Sequence, residues 1–292
     1  MTAALSIDLG GTNLRAALSE AGREGDAAAL GHWLAPPDLA TFQRSIASLV
    51  AEHSASCVGL AIPGLASGTT CSWVPNLPYL AGQDLSRLFP GVTVALGNDA
   101  HFALLAESTL GAACDASDVL LVAIGTGIGS AVLADGRIVR GHGGAAASFG
   151  WACADPADIG DSARGWLERH AAGPAFDAIA RRAGLADGRA LIAAARAGDR
   201  SAQEGLEKPC AALGAALAGP IAMLGSRSVI VSGGLAEGVD ALGPLILRTL
   251  RRHLPPHLRA VTLDPAHFGA RASLVGAGLA ALGHPRWTRP RP

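Results

Sequence analysis

The sequence predicts an α/β fold, and three observations carry that prediction. Apolar, strand-like runs alternate with stretches of helical periodicity along nearly the whole chain. Each half opens in the same order, strand, glycine turn, strand, once near residues 3–19 and again near 119–138. Half of the 292 residues are hydrophobic and only 16% are charged, so the chain can bury the core of about two domains and disorder is not expected.

The elements follow in order. AALSIDL (3–9) reads as a buried strand, followed by the turn Gly10-Gly11-Thr12-Asn13 and a second strand over 14–19. A third strand is expected near 30–34, then a helix over 39–53 with Phe42, Ile46, Leu49 and Val50 on one face. The run 57–62 is a strand ending at Pro63-Gly64. The stretch 65–81, rich in Gly, Ser, Pro and Asn, reads as loop, and a short helix is expected over 84–88. VTVALGNDAHFALLAE (92–107) predicts a buried strand running into a largely buried helix, with Asn98 and Asp99 at the joint.

Small and polar residues over 111–117 mark a first boundary. Beyond it come VLLVAI, the turn GTGIGS, and AVLADGRIV, with Asp135-Gly136 as a hairpin turn. Residues 141–150 read as loop and 152–163 are polar; a helix beginning near 163 carries Trp166, Leu167 and Glu168, and helices continue to about 225. A strand over 228–232 ends in Gly233-Gly234, a helix spans 237–253, and a strand (261–263) and a helix (272–282) follow. The tail HPRWTRPRP is expected to be disordered.

Composition excludes several functions. A net charge of −1 leaves no electrostatic footprint for nucleic acid or an anionic membrane. Lys208 is the only lysine and lies in GLEKPC, so a Walker A loop, which needs Lys beside a glycine turn, is ruled out, and Schiff-base chemistry is not expected. The uncharged stretch 209–226 is about long enough to span a bilayer, but its Ala, Gly and Pro220 predict a closely packed helix instead, suited to a homodimer interface or to a domain core. Five scattered cysteines without a C-x-x-C pair, and no basic leader before the first strand, predict reduced thiols and a cytoplasmic protein.

Four stretches could carry chemistry. In IDLGGTNLR, Gly10 and Gly11 let backbone N–H groups approach an anion, Thr12 and Asn13 add donors, and Asp8 at the strand end suits Mg²⁺ held through water; the plain alternative is a glycine hairpin. In AIGTGIGSAV the glycines Gly125, Gly127 and Gly129 resemble a dinucleotide fingerprint only superficially, because a strand and not a helix follows. That order favours a phosphate-cradling hairpin with Thr126 as a hydroxyl donor. In VIVSGGLAEG, a nucleobase or ribose could lie against the bare backbone of Gly233 and Gly234, which a tight helix start would also explain. Of Asn98 and Asp99, one could simply cap the helix; alternatively Asp99 is a carboxylate at the carboxyl end of a strand, where open α/β sheets place ligands.

Together IDLGGTN, the Asn98-Asp99 pair, GTGIGSA, VSGG and LVGAGLA resemble, in order and spacing, the actin-like sugar-kinase superfamily and its ROK branch (repressors, open reading frames and kinases). The resemblance covers nearly the whole chain. It implies two ribonuclease-H-like lobes flanking a cleft, one formed by 1–112 with about 273–292 and the other by 113–272. It also implies ATP and Mg²⁺ as cofactors, a small-molecule sugar as acceptor, and Asp99 as the base that takes the proton of a hexose's primary hydroxyl. Asn76, Asn98, Glu168 and the position of Ser148 would face the sugar. Two departures bear on specificity: the family's GE-x-GH segment reads AASFGW here, with Ser148 in place of Glu and Trp151 in place of His, and the usual cysteine-rich loop keeps only Cys153.

No zinc site is therefore expected. Trp151 is expected to fill that volume as core, His142 could face the sugar although a lone loop histidine is more often simply solvated, and His101 is expected to pack or cap. The phosphoryl donor, ATP or polyphosphate, stays open. Two rivals to a glucokinase-type enzyme are a catalytically weakened sugar-binding protein and a sugar-sensing repressor, which would need a helix-turn-helix before Ile7.

Overall fold

A computed structural model describes residues 3–288. The fold is mixed α/β with two five-stranded sheets. The chain divides into two compact units, one comprising Met1–Cys114, Gly136–Ala146 and Ala270–Pro292, the other Asp115–Asp135 and Ala147–Gly269.

The first unit begins with β1 (Ala3–Leu9), β2 (Asn13–Glu20) and β3 (Ala28–Leu34). The helix α1 (Leu39–Glu52) starts where the Asp38 carboxylate accepts the Thr41 N–H at 2.7 Å, and it buries Phe42 and Ile46. Then come β4 (Cys57–Ile62), the short hairpin β5 (Leu65–Ser67) and β6 (Thr70–Trp73), α2 (Leu85–Leu88), β7 (Thr93–Asn98) and α3 (Asp99–Leu110). The sheet order is β3-β2-β1-β4-β7: β1 is antiparallel to β2 and parallel to β4, and β4 is parallel to β7. The carboxyl ends of β1, β4 and β7 thus lie side by side, which brings Asp8, Ile62 and Asn98 to one edge of the sheet. The stretch 65–81, expected as loop, contains the β5–β6 hairpin.

The second unit contains β8 (Val119–Ile124) and β9 (Ile128–Ala134), joined by the second glycine turn; beyond the Asp135-Gly136 turn, β10 (Arg137–Ile138) groups with the first unit. Then follow α4 (Trp166–Ala171), α5 (Gly173–Arg182), α6 (Gly188–Arg196), α7 (Arg200–Leu224), β11 (Ser228–Ser232), α8 (Val239–Arg252) and β12 (Thr262–Pro265). The second sheet runs β10-β9-β8-β11-β12, with β8, β11 and β12 parallel. Its core joins Leu120, Val122 and Val229 to Leu167, Phe176, Leu213 and Ile246. The helix expected from about 163 starts at Trp166, after Gly165. No helix among the described residues is long and apolar enough to cross a membrane.

The helix α9 (Ala272–Ala281) belongs to the first unit, and all ten of its residues are buried. It touches β1, β2, β4 and α3. The backbones meet so closely that a Cβ on Gly276 would lie 1.8 Å from the Phe102 carbonyl oxygen, an approach only glycine permits.

The expectation of a disordered tail is corrected for residues 284–288. Trp287 is only 7% exposed, its ring packs tilted against Phe102 on α3 with centroids 4.7 Å apart, and the Arg140 guanidinium lies 4.8 Å over it. The Ile138 N–H donates to the Arg286 carbonyl at 3.0 Å. Residues 289–292 of that tail lie outside the described residues. Trp287→Ala is expected to destabilise the protein by about 2 kcal/mol, below the cost in a closed core because the chain near Trp287 can collapse into the gap. Urea unfolding checks this, and a loss under about 0.5 kcal/mol would count against the packing role.

Candidate active site

In the first unit the site is built on two strand ends. Asp99 is the first residue of α3, and Asn98 before it is the cap, its extended backbone ending β7. The Asn98 Oδ1 accepts the Ala100 N–H at 2.9 Å while its Nδ2 donates to the Gly64 carbonyl at 3.1 Å, so both ends of this side chain are held by protein. The Asp99 Oδ1 also accepts the Ala100 N–H, at 2.8 Å. Asp99 is open on one side and surrounded by protein on the others. That desolvation, joined by the negative charge of Asp8 and opposed by the Ala100 N–H, pushes its carboxyl up to about 6. A carboxylate with that affinity for protons is matched to general-base work near neutral pH.

Asp8, 8% exposed, is paired with Arg15, which also donates to the Ala270 carbonyl at 2.8 Å. The turn after it is closed by the Gly10 N–H donating to the Asn13 carbonyl at 2.8 Å, and Gly11, Thr12 and Asn13 are exposed. The Gly11 and Thr12 N–H groups have no protein acceptor among the described residues, the state an anion cradle requires. Asn76 lies against this turn: a Cβ on Gly11 would be 3.0 Å from the Asn76 Cβ. Asp8, Gly10–Asn13, Asn76, Asn98 and Asp99 therefore share one end of the first unit.

Mg²⁺ fits the donor set here. Arg15 takes one oxygen of Asp8 and leaves Oδ1, and Asp99 adds a second negative charge nearby. One or two carboxylates, with water and phosphate oxygens completing the shell, are what this ion ordinarily takes from a protein. Among the described residues no group of three or more His, Cys, Asp or Glu could hold a metal unaided, and Cys153 is exposed.

In the second unit Gly125, Thr126 and Gly127 form the β8–β9 turn, and Thr126 is exposed. Gly233, with φ of +82°, packs its α-carbon on Ile124, where a Cβ would come within 2.5 Å of the Ile124 carbonyl oxygen. Gly233 and Gly234 thus sit beside the strand that feeds the turn. Glu168, in the first turn of α4, accepts the Ile128 N–H through Oε1 at 3.0 Å. Ser148 is exposed and precedes the short helical turn Phe149–Trp151.

The ROK family profile matches residues 4–284. The chain belongs to the ROK family. It is 32% identical to the kanosamine kinase of Amycolatopsis mediterranei over 77% of this chain and 78% of that one. It is 30% identical to the N-acetylmannosamine kinase of Escherichia fergusonii over 96% and 98%. Among solved structures, the ROK family glucokinase of Streptomyces griseus in complex with glucose and AMPPNP superposes with a TM-score of 0.76 at 25% identity, covering 96% of this chain and 99% of that one.

One expectation about this ROK chain's second site region needs correction. Trp151 does not fill a core; it is 52% exposed. The short turn around it is organised instead by Ser130, whose hydroxyl bonds the Ala147 carbonyl and accepts the Phe149 N–H at 3.1 Å. His101 does pack, 3% exposed and bonded to the Ala146 carbonyl, and its burial pushes its pKa down to about 4. His142 is exposed.

Sequence reasoning passed over Arg15. A signal for it existed, because residues 8 and 15 flank the turn symmetrically and therefore pair directly across the hairpin. Ser130 carried no such signal, since its partners are a loop seventeen and more residues away.

Proposed function

We propose that this protein transfers the terminal phosphoryl of ATP, carried with Mg²⁺, to the primary hydroxyl of a hexose, in the manner of a glucokinase. The observation that carries the reading is Asp99. It is a proton-accepting carboxylate at the end of β7, on the same sheet edge as Asp8 and the Gly10–Asn13 turn. In this reading Asp99 takes the hydroxyl proton, the hydroxyl oxygen bonds to the γ-phosphorus, and the bond to the bridging oxygen breaks to release ADP. Little covalent chemistry falls to the protein, so its contribution is positioning and charge stabilisation.

Gly11, Thr12, Asn13, Thr126 and Gly127 would donate to phosphate oxygens, Gly10 and Gly125 would shape the two phosphate turns by closing them, and Gly233 and Gly234 would take the nucleoside. Asp8 would hold Mg²⁺ through water, and the ion would neutralise charge on the phosphates. Asn76, Ser148, Glu168 and the remaining N–H of Asn98 would meet sugar hydroxyls. Five free cysteines support a reducing compartment, and we place the protein in the cytoplasm.

A second reading, an amino or N-acetylamino hexose as acceptor, is favoured by the names of the kanosamine and N-acetylmannosamine kinases and by Ser148 where the family has Glu. An acceptor panel of glucose, mannose, kanosamine, N-acetylmannosamine and N-acetylglucosamine, each with ATP·Mg²⁺ or polyphosphate, separates the readings. The expected result is ADP formation, with one acceptor leading in kcat/KM. Folded protein that phosphorylates none of them would refute the kinase reading, and an N-acetylated leader would replace the glucokinase assignment.

A further inference from the structure

The β8–β9 turn is held from four directions, three of them by backbone. The Gly125 N–H donates to the Gly127 carbonyl at 2.9 Å, closing the turn. The Gly125 carbonyl accepts the Gly173 N–H at 2.7 Å at the start of α5, and the Ile124 carbonyl accepts the Leu235 N–H at 3.3 Å. The fourth hold is the Glu168 side chain, whose Oε1 accepts the Ile128 N–H at 3.0 Å. The carboxylate lies where glycines make room for it: a Cβ on Gly127 would come 2.7 Å from Oε1, and one on Gly150 would come 2.7 Å from its Cγ. With Gly125 and Ile128 so engaged, the N–H groups of Thr126 and Gly127 have no protein acceptor among the described residues.

We propose that Glu168 is a positioning residue of the phosphoryl-donor side, fixing the Gly125–Ile128 turn so that the free N–H groups of Thr126 and Gly127 meet the nucleotide's phosphates. This rests on the proposed kinase function and adds to it, because the family resemblance assigns Glu168 to the sugar alone. The physical logic is one of acceptor, not of charge. Without an acceptor, the Ile128 N–H at the root of the turn is free to seek another partner, and the two donors lose their fixed aim. A glutamine carbonyl oxygen can take the same N–H while removing a negative charge that does not help to bind phosphate.

The test is calorimetric titration of AMPPNP with Mg²⁺ in the absence of any sugar, on the wild type, Glu168→Ala, Glu168→Gln, Gly127→Ala and the Gly127→Ala/Glu168→Ala pair. Circular dichroism melts establish that each is folded. Glu168→Ala is expected to raise the AMPPNP Kd by at least about fivefold and Glu168→Gln to stay within about twofold of wild type. Gly127→Ala, whose new methyl displaces Oε1, should weaken binding on its own and add nothing on top of Glu168→Ala.

If Glu168→Ala does not fold, Gly127→Ala and Glu168→Gln carry the test. Unchanged AMPPNP affinity in Glu168→Ala and Gly127→Ala would overturn the proposal, as would equal weakening in Glu168→Ala and Glu168→Gln. A loss confined to glucose titrations would assign Glu168 to the sugar only. A wild type that binds no AMPPNP refutes the donor-side reading itself, a failure visible before any variant is compared.

Discussion

Replacing Asp99 with Asn is expected to lower kcat by about 10²–10⁴-fold, the usual contribution of a positioned general base. Asparagine keeps the shape and can keep the oxygen that accepts the Ala100 N–H, so the cap geometry of α3 survives. It cannot take a proton from a sugar hydroxyl. Binding of hexose and of AMPPNP should stay within about threefold of wild type, because what is removed acts in the transition state. Near-normal turnover in Asp99→Asn would show that the base is misassigned.

The pH profile supplies a second signature. With the Asp99 carboxyl pushed up to about 6 by desolvation and by Asp8, kcat/KM of the wild type should fall about tenfold per unit below that point. The residual activity of Asp99→Asn should lack that limb. Asp8→Asn should move the limb to lower pH, since it removes the neighbouring charge.

The second large expectation is an acid lability traced to His101. Its pKa falls from 6.5 to about 4 in the folded protein, chiefly through burial and also through the charge of Arg140, while the bond to Ala146 pulls the other way. The unfolded chain therefore takes up a proton that the folded one refuses. His101 contributes stability that is intact above about pH 6.5 and is lost as pH falls towards about 4, with a total on the order of 3 kcal/mol.

Asp99 works in the opposite direction over an overlapping range. Its folded pKa lies above the unfolded value of 3.8, so its contribution is present in acid and is lost as pH rises through about 6. The two offset each other in the wild type. Urea unfolding at about pH 7, 5.5 and 4.5 should find Asp99→Asn losing stability more steeply on acidification than wild type, and His101→Asn less steeply. Equal slopes in all three proteins would contradict the assignment of both groups.

How much of this could be read beforehand depended on how far apart the partners lie in the chain. The carboxylate of Asp99 at a strand end was legible in VTVALGND, because strand, polar joint and helix are consecutive. Its raised proton affinity was not, since it comes first from desolvation by the folded surroundings and then from Asp8, which the parallel pairing of β1, β4 and β7 brings to the same sheet end. The tail misled for the same reason: HPRWTRPRP is rich in Pro and Arg, and only the packing of α3 supplies Phe102 as a partner for Trp287. The β5–β6 hairpin escaped because strands of three and four residues leave almost no alternation to count. Trp151 was expected inside because it stands where the family has a zinc-site His and would fill that volume, yet a neighbouring buried serine, Ser130, holds that turn and the indole lies outward.

The discontinuity of the first unit bears on how the protein is made. Its sheet is complete once residue 98 has been added, but α9 and Trp287, which cover one face of that sheet and brace α3, come from residues 272–287. At ordinary translation rates the gap amounts to roughly 10–40 s, during which the apolar face of β1, β4 and β7 emerges from the ribosome without its lid. The second unit, whose segments are all synthesised in that interval, can fold first. A nascent chain stalled before residue 270 should then protect β8 and β11 from protease while β1 and β4 remain cleavable, and should be the stage of synthesis most dependent on a chaperone.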